Sequence, residues 1–367
     1  MSAKELMRFA DCFEDISRGV AKIKQKDCLP QGDHPVVDQG QDPIAGYSDG
    51  EDGLCTNVPA IVFGDHTRCV KYVTEPFFAG ADGVKILKPK DSHNVRFWFH
   101  YLRSQHIEDL GYSRHYKLLK QCKFKACPLV EQELIALRLD HILRLIDFEE
   151  SSLGKLEELV KSRFIEMFGD PIDESSPWPK LAIKDFCTLK IGPFGSSLHK
   201  QDYITGGRPL VNPSHIVDGK IVPANDLTIS EEKYQEMEAY HLEPGDVVLG
   251  RRGEIGRCAV VYSSGYLCGT GSMIVRPSDK CRPDYLQRVL SFPSFKDALE
   301  RNAVGQTMKN LNAKIVGQAV VALPSINAQN EFAAFVQQVE KLEFETQQAI
   351  DKLQTLYDSL AQEYFGD

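Results

Sequence analysis

The chain has 367 residues, 42% hydrophobic and 26% charged, a length that suits two or three cores rather than one. It has no run of eighteen apolar residues, and Met1-Ser2-Ala3-Lys4-Glu5 lacks the apolar stretch of a secretory signal, so no membrane span and a cytoplasmic location are expected. Net charge is −9, but residues 1–128 carry +1 and 178–322 carry +3, whereas 129–177 and 323–367 carry −7 and −6; the two larger segments are therefore free to approach a polyanion, which charge permits without demanding.

In chain order, residues 1–128 read as a mixed α/β globule of short strands and glycine-rich turns. Gly32-Asp33-His34-Pro35-Val36-Val37, Ile61-Val62-Phe63-Gly64 and Phe77-Phe78-Ala79-Gly80 are strand-like runs, Gly83 to Leu87 is a further strand, and Arg96 to Gln105 is helical. Residues 129–177 hold a long helix followed by a polar linker from Asp170-Pro171 to Pro177. The globule pattern then returns faintly in residues 178–322, as Gly207-Arg208-Pro209-Leu210-Val211, Val247-Val248-Leu249-Gly250, Tyr266-Leu267-Cys268-Gly269, Ser272 to Val275 and a helix from Asp284 to Leu290. A second long helix occupies 323–367.

The helical segments repeat at an offset of 197: Gln132 recurs as Gln329, and Phe168-Gly169-Asp170 recurs as Phe365-Gly366-Asp367. In the first copy a heptad frame places Leu139, Ile146, Leu153, Val160 and Met167 at position a, with Ile142 and Leu156 at d. The second copy places Val336, Ile350, Tyr357 and Tyr364 at a, and Val339, Leu353 and Leu360 at d. Glu149, Arg163, Glu343 and Thr346 interrupt the seam. Equal length and shared phase favour a coiled coil over two helices packed on separate cores.

No motif for chemistry emerges. Gly192-Pro193-Phe194-Gly195-Ser196-Ser197-Leu198-His199-Lys200 lacks the ending of a phosphate-binding loop, and no GxGxxG follows a strand. Asn212-Pro213-Ser214-His215 lacks the second proline and the aromatic residue of an amino-methyltransferase motif, and Pro283-Asp284 is not followed by a nuclease signature. Gly64-Asp65-His66 sets a carboxylate beside an imidazole, but neighbours in sequence need not act together. The ten cysteines form no CxxC pair and none of the ten histidines has metal-ligand spacing, so buried free thiols and no metal are expected.

Several polar strings do suit nucleic acid. Arg251-Arg252-Gly253-Glu254-Ile255-Gly256-Arg257 follows a strand and offers guanidiniums, which grip phosphate or pair with guanine. Gly64-Asp65-His66-Thr67-Arg68-Cys69-Val70-Lys71 occupies the matching place in the first globule. Near the end of each globule stand Tyr112-Ser113-Arg114-His115-Tyr116-Lys117 and Gly305-Gln306-Thr307-Met308-Lys309-Asn310. The DNA-contact candidates are accordingly Asp65, His66, Arg68, Lys71, Ser113, Arg114, Lys117, Ser196, Ser197, His199, Lys200, Arg251, Arg252, Arg257, Gln306, Thr307 and Lys309. Each string alone reads as an ordinary solvated loop; matching places in a duplicated chain favour the binding role.

A globule, a Gln-led helix closing on Phe-Gly-Asp, and one repetition of both resembles the specificity subunit of type I restriction–modification systems. Ile61 to Leu87 is similar to one kind of target recognition domain, and Leu323-Pro324-Ser325-Ile326-Asn327-Ala328-Gln329 resembles the entry to the family's conserved helix. Cys127-Pro128-Leu129-Val130-Glu131-Gln132 is one residue shorter between Pro and Gln, which leaves the first helix start open. The resemblance implies an α/β (α+β) fold with a pseudo-two-fold repeat. Target recognition domains would occupy 1–128 and 178–322, each reading one half of a split double-stranded DNA site. Spacer helices in 129–177 and 323–367 would pair antiparallel and dock two methyltransferase subunits. It further implies a non-catalytic chain that binds no cofactor, with S-adenosylmethionine and ATP on the methyltransferase and restriction partners. A coiled-coil protein-interaction scaffold without nucleic-acid binding is the alternative, and an enzyme of unrecognised type a third.

Overall fold

The computed structural model describes residues 6–80, 83–90, 94–125, 127–194, 197–253, 255–302 and 310–366. The chain packs as two compact units, Met1–Ser152 with Thr346–Asp367, and Leu153–Glu345. The four sequence segments are thus two bodies, because each long helix is shared between the globules' cores instead of standing apart from them.

In the first unit, strands β1 (Phe13–Asp15), β2 (Ala60–Gly64), β3 (Val70–Val73) and β4 (Val84–Pro89) form an antiparallel sheet in the order β1-β4-β2-β3, with Phe13 opposite Pro89 and Ile61 opposite Leu87. β2 is buried throughout because both of its faces are covered. Alternation sends Ile61, Phe63 and Leu87 into one core and Ala60, Val62 and Ile86 into another. The first core is closed by helix α1 (Val95–Arg103), capped by the Asn94 side chain, which accepts the Phe97 N–H at 2.9 Å. Trp98, Tyr101 and Phe124 pack with Phe9 and Phe13 around it, mostly edge to face. The other face meets a second sheet in which His34–Val37 runs parallel to Phe78–Gly80.

The second unit repeats this plan. Strands β5 (Cys187–Ile191), β6 (Val247–Gly250), β7 (Cys258–Val260) and β8 (Ser272–Pro277) take the order β5-β8-β6-β7, with Cys187 opposite Pro277 and Val247 opposite Val275. Val247, Leu249, Met273 and Val275 face one core, Val248 and Ile274 the other. Arg208–Val211 runs parallel to Leu267–Cys268, the counterpart of the first unit's parallel pair. In each globule a two-stranded antiparallel pair ties the start to the end, Leu6–Arg8 with Lys123–Lys125 and Lys180–Ala182 with Val320–Ala322.

Helices α2 (Leu129–Phe168) and α4 (Ile326–Phe365), with α3 (Pro283–Ser291) between them in sequence, complete the scaffold. α2 and α4 are each 40 residues long, and their ends coincide at the 197-residue offset. Both begin three residues before their glutamine, so the shorter Pro-to-Gln spacing leaves the helix start unchanged. Gln132 Nε2 donates to the Cys127 carbonyl at 3.0 Å, and Gln329 Nε2 to the Pro324 carbonyl at 2.8 Å, each five residues back. The two helices run antiparallel within each unit: Arg138 bonds the Tyr364 hydroxyl at 3.0 Å in the first, and Arg163 lies over the Phe335 ring at 5.9 Å in the second. Every seam residue is buried or half-buried: Leu139, Ile142, Ile146, Leu153, Leu156, Val160 and Met167 on α2, Val336, Val339, Ile350, Leu353, Tyr357, Leu360 and Tyr364 on α4. Among the described residues no helix is long and apolar enough to cross a membrane. All ten cysteines are free, six of them buried.

One polar junction joins globule and helices in the first unit. His100 of α1, fully buried, contacts the Tyr357 hydroxyl through Nδ1 at 2.9 Å and the Asp140 carboxylate through Nε2 at 3.0 Å. A neutral imidazole with its proton on Nε2 satisfies both partners, donating to Asp140 and accepting from Tyr357. Burial pushes the His100 pKa below its ordinary 6.5 although Asp140 pulls the other way. Burial also pushes Asp140 up, but hydrogen bonds from His100 and Arg96 outweigh it and hold that carboxyl below its usual range. A folded pKa below the unfolded one means that the unfolded chain takes the proton first. Stability held above about pH 6.5 is therefore lost as pH falls below it. Denaturant midpoints measured between pH 7.5 and 5 should fall on acidification, and less steeply for His100→Gln; identical slopes would refute the assignment.

Candidate nucleic-acid interface

The hairpin turns β2–β3 and β6–β7 carry the first pair of polar strings, and the same three backbone bonds shape both. Gly64 N–H donates to the Cys69 carbonyl and Gly250 N–H to the Arg257 carbonyl, each at 2.8 Å. The next residue, Asp65 or Arg251, donates its N–H to a glycine carbonyl at the head of the neighbouring strand, Gly83 at 2.7 Å or Gly271 at 2.9 Å. Its own carbonyl accepts an N–H, from His115 of the second polar string at 2.7 Å in the first unit or from Leu311, just beyond that string, at 3.0 Å in the second. Glycine is required beside these turns: a Cβ would come within 2.9 Å of the His66 ring at Gly83, where φ is +90°, and within 2.9 Å of the Pro213 ring at Gly271. The fold thus brings together two strings some fifty residues apart in the first unit, and in the second sets Leu311 against the turn sixty residues before it.

Four candidates are tied into the fold rather than open on the surface. Asp65 is 3% exposed, and its Oδ1 accepts the Tyr116 N–H at 2.7 Å. Arg68, at φ +64°, donates to the Ile107 carbonyl at 3.0 Å and pairs with Asp109 at 2.7 Å, so its guanidinium organises the loop that precedes Tyr112. Lys71 is held by Asp38 at 3.3 Å and the Asp42 carbonyl at 2.6 Å. Arg251 is 5% exposed, with Nε donating to the Leu311 carbonyl at 2.8 Å; burial, followed by the like charge of Arg252, lowers its pKa.

Other candidates are exposed or half-buried. Arg114, Lys117, Ser197, His199 and Arg252 are open to solvent, while His66, Ser113 and Arg257 are half-buried. His66 Nδ1 donates to the Ser113 carbonyl at 3.0 Å, and Arg257 donates to the Pro213 carbonyl at 3.4 Å. Ser196, Gln306, Thr307 and Lys309 lie outside the described residues, as does the side chain of Lys200.

Two residues escaped sequence reasoning. Tyr112 is 96% exposed yet stacked on His66, with ring centroids 5.0 Å apart and planes 11° off parallel. An aromatic within Ser- and Arg-bearing loop sequence was the available signal, since flat rings beside basic groups serve base stacking and wedging. Gln39 orients the His66 backbone by accepting its N–H at 3.1 Å, and distance in sequence hid it.

Residues 175–355 match the profile of a family described as type I restriction modification DNA specificity domain. The EcoBI type I restriction enzyme specificity subunit of Escherichia coli is 22% identical over 390 residues, covering 96% of this chain and 81% of that protein. Residues 175–355 are thus a type I restriction–modification DNA specificity domain, and the chain as a whole is similar to type I specificity subunits. The EcoKI specificity subunit of E. coli strain K12 is also 22% identical, over 263 residues covering 65% of this chain and 56% of that one. The type I restriction–modification S subunit of M. genitalium shares the fold, with a TM-score of 0.56 and 15% identity over 99% of this chain and 96% of that one. A chain from a structure describing complex assembly and conformational transition of the type I system gives 0.57 and 15% over 98% and 96%. The profile covers the second globule and most of α4; the first globule joins it through the common sheet order and the shared turn bonds.

Proposed function

We propose that this chain is the non-catalytic DNA-specificity subunit of a type I restriction–modification complex, reading a bipartite site with one half assigned to each unit. The observation that carries the reading is the duplicated turn: two globules with the same bonds hold different side chains at the same places, as expected for two readers of different sequences. Arg114 and Lys117 in the first unit and Arg252 in the second supply exposed charge for phosphate or base edges. The methyltransferase partners, two in number, dock along α2 and α4, whose exposed Val130, Leu137, Phe148, Phe344 and Leu356 offer apolar contact on otherwise acidic helices. S-adenosylmethionine and ATP belong to the methyltransferase and restriction subunits, and the complex acts in the cytoplasm.

Electrophoretic mobility shift with the methyltransferase subunits present, at several salt concentrations, tests the reading. Site-selective retention and methylation are expected of the assembled complex, and no methyl transfer by this chain alone. Arg252→Ala should affect one half-site only, and Arg114→Ala or Lys117→Ala the other. A lost phosphate contact lowers the salt slope by about one, whereas a lost base contact costs about 1–3 kcal/mol at one position. An assembled complex with no sequence preference would refute the proposal, as would variants in one unit that alter both halves.

A further inference from the structure

We propose that Asp65 and Arg251 are positioning residues that each fasten their hairpin turn to the segment packed against it, residues 115–116 in the first unit and Leu311 in the second, so that the turn keeps a single reading conformation, while touching no DNA themselves; this rests on the reading above. They occupy the same place in the two hairpin turns, each bonded through N–H to a strand-head glycine and through the carbonyl to a residue some fifty or sixty positions on, His115 or Leu311. Their side chains complete the same clamp with opposite chemistry. Asp65 accepts the Tyr116 amide proton at 2.7 Å, and Arg251 donates a guanidinium proton, from Nε to the Leu311 carbonyl at 2.8 Å. His115 reinforces the first clamp: its Nδ1 donates to the Asp65 carbonyl at 3.0 Å while Nε2 accepts the Leu110 N–H at 3.1 Å. That bond pattern orders residues 110–116, which carry the exposed Tyr112 and Arg114. A carboxylate and a guanidinium with equivalent backbone roles and almost no exposed surface are selected for the hydrogen bond they make, not for charge presented to a polyanion.

Two substitutions separate bond from charge. Asp65→Asn keeps an acceptor oxygen for Tyr116, and Arg251→Gln keeps a donor nitrogen at the ε position for Leu311; both remove the charge. In the complete complex with its methyltransferase subunits, binding is measured on duplexes carrying the mapped site and single-base changes in each half, across a range of salt. Asp65→Ala and Arg251→Ala should each lower discrimination about tenfold in one half only. Asn and Gln should restore it, and none of the four should change the salt slope. A slope lowered by about one in Arg251→Gln would make Arg251 a phosphate contact and overturn the proposal. Unaltered discrimination in the alanine variants would overturn it too, and equal loss in both halves would mark a merely structural role. If the wild-type complex shows no site preference, the functional reading fails first and takes this proposal with it; a selective wild type with selective alanine variants sinks this proposal alone.

Discussion

Leu139→Asp is expected to unfold the first unit and abolish co-purification with a methyltransferase subunit. Leu139 is fully buried on α2, in one core with Trp98, Tyr101, Ile142, Tyr357 and Phe365. Removing the leucine alone, as in Leu139→Ala, costs about 2–5 kcal/mol at such a site. An aspartate adds an unpaired charge among apolar neighbours, worth several kcal/mol more unless it takes up a proton. The sum rivals the roughly 5–15 kcal/mol that holds an ordinary domain together. Leu156→Asp and Leu353→Asp, at half-buried seam positions, should be milder because water can reach the new carboxylate. Urea unfolding followed by tryptophan fluorescence reads the first unit through Trp98, and pull-down reads assembly. A Leu139→Asp midpoint equal to that of the wild type would show that this helix face does not organise the core.

The second large effect separates two residues that look equivalent in the repeat. Gln329 is fully buried; its Nε2 donates to the Lys280 carbonyl at 3.1 Å and the Pro324 carbonyl at 2.8 Å, and its Oε1 accepts the Arg282 N–H at 2.7 Å. Gln329→Leu preserves volume but strands three backbone groups, at about 1–3 kcal/mol each, so a loss of about 3 kcal/mol or more is expected. Gln132 makes the Cys127 bond at 3.0 Å, and its Oε1 has no partner among the described residues. Gln132→Leu removes one bond along with a buried oxygen already unsatisfied, so about 1 kcal/mol or less should be lost. Denaturant midpoints of the two variants give the comparison; equal losses would mean that Gln329 does not tie α4 to the second globule.

Much of the architecture was legible because its signals are local or periodic. A heptad stripe depends only on neighbours three and four residues away, so the 197-residue offset located both long helices. Short β-branched runs ending in glycine marked β2 and β6, since buried central strands carry apolar residues on both faces. The aromatic cluster of Phe164, Phe168 and Phe332 was less visible. Phe164 and Phe168 fall outside the a and d positions, and what buries them is the second globule's core.

The candidate interface divides along the same line. By itself the sequence determined that two like α/β globules alternate with two like helices, and that polar strings recur at matching points. Residue type and spacing along the chain suffice for that. Only the tertiary structure decided which members of those strings face solvent. Asp65, Arg68, Lys71 and Arg251 are spent on partners 29 to 60 residues away, whereas Tyr112 and Arg252 remain exposed. A charged side chain carries the same label whether it meets a carbonyl inside the fold or water outside it, and burial is set by contacts that no local window contains.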